Sequence, residues 1–178
     1  MDATRMSIIA INVATAPGMV PVPVEIATAC VEGDRVVSTW STLVKAPVKW
    51  ELLTHTQQAC ICLGLGRSGV SWNTNCSLPT AAEAMTAVMH RTSQFDPNFI
   101  VTKGSAQKTL VQDAVRRAGS EAFVWAGEEL GLPPFPRMPD VIPFRACPAH
   151  ENKPQQVARY CSLHRALQIV AAMGYTTE

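Results

Sequence analysis

Three strand-like segments in immediate succession, then a helix–strand–helix–strand alternation, then one terminal helix predict an α/β domain. Its core would be a mixed β-sheet flanked by helices. The apolar residues alternate with period two in the first third and recur at helical spacing afterwards.

Residues 6–13 form a short apolar run. Residues 24–31 alternate, with Val24, Ile26, Thr28 and Cys30 on one face and Glu25, Ala27 and Ala29 on the other. The connection between the two runs is rich in Pro and Gly. Glu32-Gly33-Asp34 is a tight-turn signal, and 35–44 is strand-like by its β-branched content, so the three segments make an antiparallel meander. Residues 50–79, with Gly64, Gly66 and Gly69, read as a long irregular excursion. The string GLGRSG within it lacks the spacing of a dinucleotide fingerprint. Thr80 followed by Glu83 is a capping box that opens a helix. Residues 98–102 are a short buried strand, 106–118 an amphipathic helix closed by Gly119, and 121–125 a further strand. Residues 132–143 hold five of the thirteen prolines and must be extended. Residues 154–173 read as one last helix with Val157, Cys161, Leu167 and Val170 near one face.

The 178 residues suffice for a single domain, 1–178, with a sizeable core, and 47% hydrophobic against 16% charged residues excludes a disordered composition. A net charge of +1 provides no global field toward nucleic acid, so binding would need a local patch. Lys and Arg gather at Lys103/Lys108, Arg116/Arg117 and Arg159/Arg165; solvated helix faces are the plain alternative for each. No apolar run reaches the roughly 20 residues of a membrane span. The start, MDATRM, has no signal-peptide pattern. The six cysteines lack the spacing of a secreted disulfide scaffold, which suits a reducing compartment, with Cys30, Cys60, Cys62 and Cys76 as packing residues.

The chemistry concentrates near the end of the chain. Cys147 and His150, with two residues between them in a turn, can bite one metal ion, and thiolate with imidazole suits zinc. Cys161 and His164 follow, three positions apart on the expected helix and so on one face. Local spacing therefore offers His164 as a fourth ligand. The alternative without a metal is two buried cysteines and two ordinary histidines.

The element order is similar to the DEDDh exonucleases of the ribonuclease-H-like superfamily. Their first strand carries two acids one residue apart; the matching stretch here holds Asn12 and Ala14. Residues 23–27 and 39–43 resemble their second and third strands. Their third acid falls in a stretch resembling 101–108 and is replaced by Lys108, and their final His is matched by His164 with Ile169 in place of the Asp. The only other acids near these segments are Glu25 and Asp113. An Asn, an Ala, a Lys and an Ile cannot hold two magnesium ions, so the resemblance implies loss of two-metal chemistry.

Within that superfamily the chain resembles the Maelstrom domain, on Val24-Glu25-Ile26, on Cys147-Pro148-Ala149-His150-Glu151, on Cys161-Ser162-Leu163 and on the Asn in the first strand. That resemblance implies a structural zinc held by Glu25, Cys147, His150 and Cys161. It also implies single-stranded RNA and silencing-pathway proteins as partners, a role in piRNA-mediated transposon silencing in germ cells, and a perinuclear cytoplasmic and nuclear location. Cleavage of single-stranded RNA without the old acids is possible in that family, though no residues for it stand out. Lys103, Lys108 and Arg165 would line the old cleft and meet phosphates. The gap from His150 to Cys161 is longer than that family's pattern, and the HMG box that often precedes the domain is not found in these residues. An excised domain or a diverged relative is therefore expected. The alternatives are a pseudo-exonuclease scaffold that binds only proteins and, through misplaced acids, an active 3′–5′ exonuclease.

Overall fold

The computed structural model describes residues 4–177. Strands β1 (Arg5–Ala14), β2 (Val22–Glu32) and β3 (Arg35–Leu43) form the expected antiparallel meander, and β4 (Phe99–Thr102) and β5 (Phe123–Ala126) add parallel to β1. The sheet order is β3-β2-β1-β4-β5, a mixed five-stranded sheet. Helices α2 (Ala81–Phe95) and α3 (Ser105–Arg117) connect through β4, as the sequence predicts. Thr80 closes both bonds of its capping box with Glu83. No helix among the described residues is long and apolar enough to cross a membrane.

Two expectations fail. Residues 50–79 are not all irregular: His55–Ser68 form α1, opened by a second capping box between Thr54 and Gln57 and ended by Gly69 in the left-handed conformation. The last helix is not continuous. It divides into α4 (Gln155–Ala158) and α5 (Ser162–Ala172), with Cys161 in an extended conformation between them. Nothing in 159–161 is a helix breaker by composition; the break is held from outside, by groups described below.

Period-two alternation sorts the core into two layers. Met6, Ile8 and Ala10 of β1 with Ala27, Ala29 and Val31 of β2 face α5, whereas Ile9, Ile11 and Ile26 face α2 and α3. The proline-rich segment joins the first layer through Met138 and Val141, so it is a packed cover rather than a free loop. Helix α1 closes the third cluster, where Ile61 and Leu65 meet Ala14, Val22 and Val24. Eight of the eleven α5 residues are buried, a consequence of the helix lying between sheet and cover. The small side chains of Ala27 and Ala29 admit its close approach.

That approach yields a test. Ala27 is fully buried in the layer that α5 completes. Ala27→Leu is expected to cost about 1–3 kcal/mol by overpacking, measured by urea unfolding, whereas Val37→Leu on the exposed side of β3 is expected to change little.

Candidate metal centre

Glu25 lies on the α5 side of β2, in register with Asn12 of β1, at the point where a bulge ends the regular pairing of the two strands. Asn12 is an even-numbered residue of β1, like Met6, Ile8 and Ala10, so its side chain emerges on the same face. The Glu25 carboxylate is fully buried. A lone carboxylate there would cost several kcal/mol. Both oxygens are instead occupied. Asn12 Nδ2 donates to Oε2 at 2.7 Å and the Ser162 amide donates to the same oxygen at 3.0 Å. Oε1 turns the other way, toward Cys147 Sγ at 3.1 Å, His150 Nδ1 at 3.3 Å and Cys161 Sγ at 3.5 Å.

The broken helix explains why these donors are free. At the gap between α4 and α5 the Tyr160 carbonyl and the Ser162 amide have lost helical partners. Asn12 Nδ2 donates to the first at 2.7 Å, and Glu25 accepts from the second. Buried backbone groups require such partners, so the β1–β2 pair caps the break from across the interface. A carboxylate at the N-terminus of α5 is also favoured by the helix dipole.

Cys147 and His150 meet through a tight turn in which the His150 amide donates to the Cys147 carbonyl at 2.8 Å, placing Sγ and Nδ1 3.2 Å apart. The other ring nitrogen, Nε2, lies 2.6 Å from the carbonyl of Ser68, the last residue of α1. A carbonyl accepts only, so Nε2 carries the proton and Nδ1 is directed at the cluster. Gly69 makes this contact possible: besides its φ of 64°, a Cβ there would stand 2.5 Å from Val157 Cγ1. Helix α1, in a stretch expected to be irregular, thus orients the histidine.

Glu25, Cys147, His150 and Cys161 bring one donor atom each within 4.8 Å of one another, and all four are buried. Tetrahedral zinc with these ligands sets neighbouring donors roughly 3.3–3.8 Å apart. The separations given above, from 3.1 to 3.5 Å, are close to those edges. Two sulfurs, an imidazole nitrogen and one carboxylate oxygen form a donor set for a thiophilic divalent ion rather than magnesium. The cluster could therefore hold a metal.

Without one, protons settle among the four. Burial acts to raise the Glu25 carboxyl, but hydrogen bonds from His150, the Ser162 amide and Cys147 overcome it and hold the group below the usual carboxylate range. His150 is pushed up to about 10, by Cys161 first and then by Glu25. Cys161 is drawn down to about 5 by Cys147, against burial and with help from His150. The Cys147 thiol is pushed up by Cys161, by burial and by the charge on Glu25. The Cys147 thiol proton and the second imidazole proton are the ones that a divalent cation would displace.

His164, the other candidate, is not part of the cluster. Because Cys161 precedes α5 instead of lying on it, the two side chains do not share a helical face. His164 Nδ1 lies 3.1 Å from the Arg145 carbonyl, and its ring stacks on Phe144 at 4.4 Å.

Lys103, Lys108 and Arg165 are expected from the sequence as cations lining a cleft. Lys108 and Arg165 lie on segments that do converge on the end of β1: Gln107 accepts from the Ile11 amide at 3.2 Å, and Arg165 donates to Asn12 at 3.3 Å. None of the three is unengaged. Lys103 is buried and paired with Glu128, Lys108 pairs with Glu129 at 2.7 Å, and Arg165 lies over Phe135 and Tyr160. Glu128 and Glu129 follow β5 and correct the expectation that only Glu25 and Asp113 are acids near these segments. Of the places where the resemblance puts acids, Asn12, Ala14 and Ile169 are buried, and Ile169 faces the core. Cys62 and Cys76 are exposed, contrary to their expected packing role.

Asn12→Asp would restore an acid to β1 and set a second carboxylate against Glu25. The variant is expected to lose about 1–3 kcal/mol of stability. Repulsion raises the pKa of one carboxyl in the folded state above its unfolded value, so the loss is full above that raised pKa and shrinks as pH falls through it. Thermal melts at pH 8 and pH 5 should differ more for Asn12→Asp than for Asn12→Ala; equal pH dependence would count against the Asn12–Glu25 contact.

A scan against family models and a search of curated proteins both returned no match. Solved structures do match. A 3′-exonuclease recognising a histone mRNA stem-loop is 11% identical over 96% of this chain, with a TM-score of 0.58; the chain spans 63% of that protein. The nuclease domain of a DEDDh-family 3′-exonuclease bound to rAMP is 12% identical, with 96% and 91% of the two chains covered and a TM-score of 0.56. A product-bound exonuclease I is 9% identical over 96% of this chain and 42% of its own, at 0.57. At these identities the likeness is one of fold: the mixed five-stranded sheet with its flanking helices is the ribonuclease-H-like exonuclease architecture.

Proposed function

We propose that this chain is a Maelstrom-type domain: an exonuclease fold in which a closed structural zinc centre has replaced the two-metal nuclease site, binding single-stranded RNA in piRNA-mediated silencing of transposons in germ cells, at perinuclear cytoplasmic and nuclear sites. The observation that carries the reading is the convergence of Glu25, Cys147, His150 and Cys161, from the three stretches on which the resemblance rests, into one buried cluster. Zinc bound there would fill its four positions with protein ligands and act as a structural tie between the meander, the turn 147–150 and the start of α5.

Zinc analysis of the dialysed protein is expected to find one ion per chain. Cys147→Ser should lower both the zinc content and the melting temperature, because the binding energy of such a site is folding energy. Zinc-free protein with the parent's melting temperature would refute the structural role.

RNA binding is supported by the convergence of the Lys108 and Arg165 segments on the end of β1, and the exonuclease neighbours include one bound to rAMP. A second reading, a scaffold that binds only proteins, is favoured by one observation: Glu128 and Glu129 already neutralise Lys103 and Lys108. Filter binding of labelled single-stranded RNA across salt separates the two. The first reading expects salt-sensitive retention of RNA that magnesium does not cause to shorten from its 3′ end. It also expects the salt slope to fall by about 1.4 in a folded Lys108→Glu/Arg165→Gln variant. Unchanged binding in that variant removes the cleft as the RNA site, no binding by the parent favours the scaffold, and magnesium-dependent shortening would restore the nuclease reading.

A further inference from the structure

On the sheet face opposite the metal cluster, the edge of α2 does not fully cover β2 and β3, and a cavity of about 210 Å³ remains. Thr28 and Ser38 lie along its sheet side, Trp40 and Phe95 give it aromatic walls, and Arg91 and Gln94 stand on its helix side. The Arg91 guanidinium lies over the Trp40 ring at 5.0 Å and has no carboxylate partner among the described residues. The nearby Arg5, by contrast, covers Phe95 at 4.9 Å and is committed to Glu32 at 3.0 Å. A guanidinium stacked by its face keeps its N–H edge available for a planar or phosphate anion. Cys30 and Thr39 complete the lining, so polar side chains stand beside the two aromatic rings. A concave patch with a few polar groups and a cation that no carboxylate engages is a place where a ligand can be held.

We propose that this cavity binds a single nucleotide unit, with its phosphate on Arg91 and its base between the aromatic walls, where Thr28, Ser38 and Gln94 meet the base edge. Three features select this class. The volume of about 210 Å³ admits one planar ring system, with sugar and phosphate left at the rim. The aromatic walls suit a planar group. The one uncommitted charge is positive and stands at the exposed rim. The nucleotide could be free or belong to an RNA strand. The site shares no residue with the metal cluster or with the Lys108/Arg165 cleft, so it stands independently of the function proposed above.

The test is an NMR titration of the ¹⁵N-labelled chain with uridine 5′-monophosphate, uridine, inorganic phosphate and a short oligouridylate. The Trp40 indole signal is assigned by its disappearance in Trp40→Phe. Shifts are expected to concentrate on the Trp40 indole and the Gln94 side-chain amide. The monophosphate should bind about tenfold more tightly than uridine or phosphate alone, as one charge-assisted contact implies. Arg91→Gln, at an exposed position, should remove that advantage and leave the rest of the spectrum in place. Tighter binding of the oligonucleotide assigns the site to a strand; equal binding assigns it to free nucleotide. The Lys108→Glu/Arg165→Gln variant should bind the monophosphate normally. No Trp40 shift at millimolar monophosphate, phosphate alone binding as tightly, or no effect of Arg91→Gln would overturn the proposal.

Discussion

A carboxylate with no exposure to water sits at the join between the strand meander and the last helix, and the surrounding structure is arranged to tolerate it. Glu25 does not hold its charge through a single partner. Asn12 and the Ser162 amide occupy one oxygen, and the other is turned toward Cys147, His150 and Cys161. The partners come from three separate parts of the chain, so the carboxylate is fully satisfied only when β1, the 147–150 turn and the start of α5 are all in place beside β2. Burial alone would drive the group to its neutral form; the donors reverse that. The same contacts hold the α4–α5 break open, because the backbone groups released there are the ones that Asn12 and Glu25 take up.

The exchanges relative to the exonuclease pattern are mutually consistent in physical terms. An Asp at position 12 would face Glu25 as a like charge; Asn presents an amide donor to it and a carbonyl oxygen to Arg165. An acid at position 169 would be fully buried against the sheet, where Ile packs. Lys108 meets Glu129 instead of a metal. The buried polar cluster thus lies beneath the end of β1, and Lys108 and Arg165 are engaged by other side chains. The sheet's layers are set separately, by the alternation of Met6, Ile8 and Ala10 against Ile9 and Ile11.

Much of this is legible in the sequence where the information is local. Alternation in β2 puts Glu25 opposite Val24 and Ile26, and the capping box at Thr80 marks the start of α2. The Thr54–Gln57 box is the same signal, but Gly64 and Gly66 weaken the helical pattern behind it, and α1 goes unread. Where the cause is remote, the sequence is silent. Residues 159–161 contain neither Pro nor Gly, and the helix breaks there because Asn12, 148 residues away, binds the Tyr160 carbonyl. The expected one-face arrangement of Cys161 and His164 assumed an unbroken helix, and it fails with the break. Likewise Lys103 and Lys108 look free along their own segments, since their partners Glu128 and Glu129 arrive from the turn after β5.

The position of the cluster also accounts for the long proline-rich cover. Residues 132–143 have little regular structure of their own, yet Met138 and Val141 are buried in the α5 layer. Such a segment contributes few backbone bonds to its own placement, so it must be anchored at its ends. Upstream it leaves the sheet at β5; downstream it runs into Cys147, whose contact with Glu25 spans 122 positions of sequence. A link closing so long a loop removes more freedom from the unfolded chain than a short one, although the gain grows only logarithmically with length. A metal at this point would act on the meander, the cover and the last helix together. Glu25, Cys147, His150 and Cys161 are the one group among the described residues placed to hold an ion, and they join the meander, the end of the cover and the start of α5.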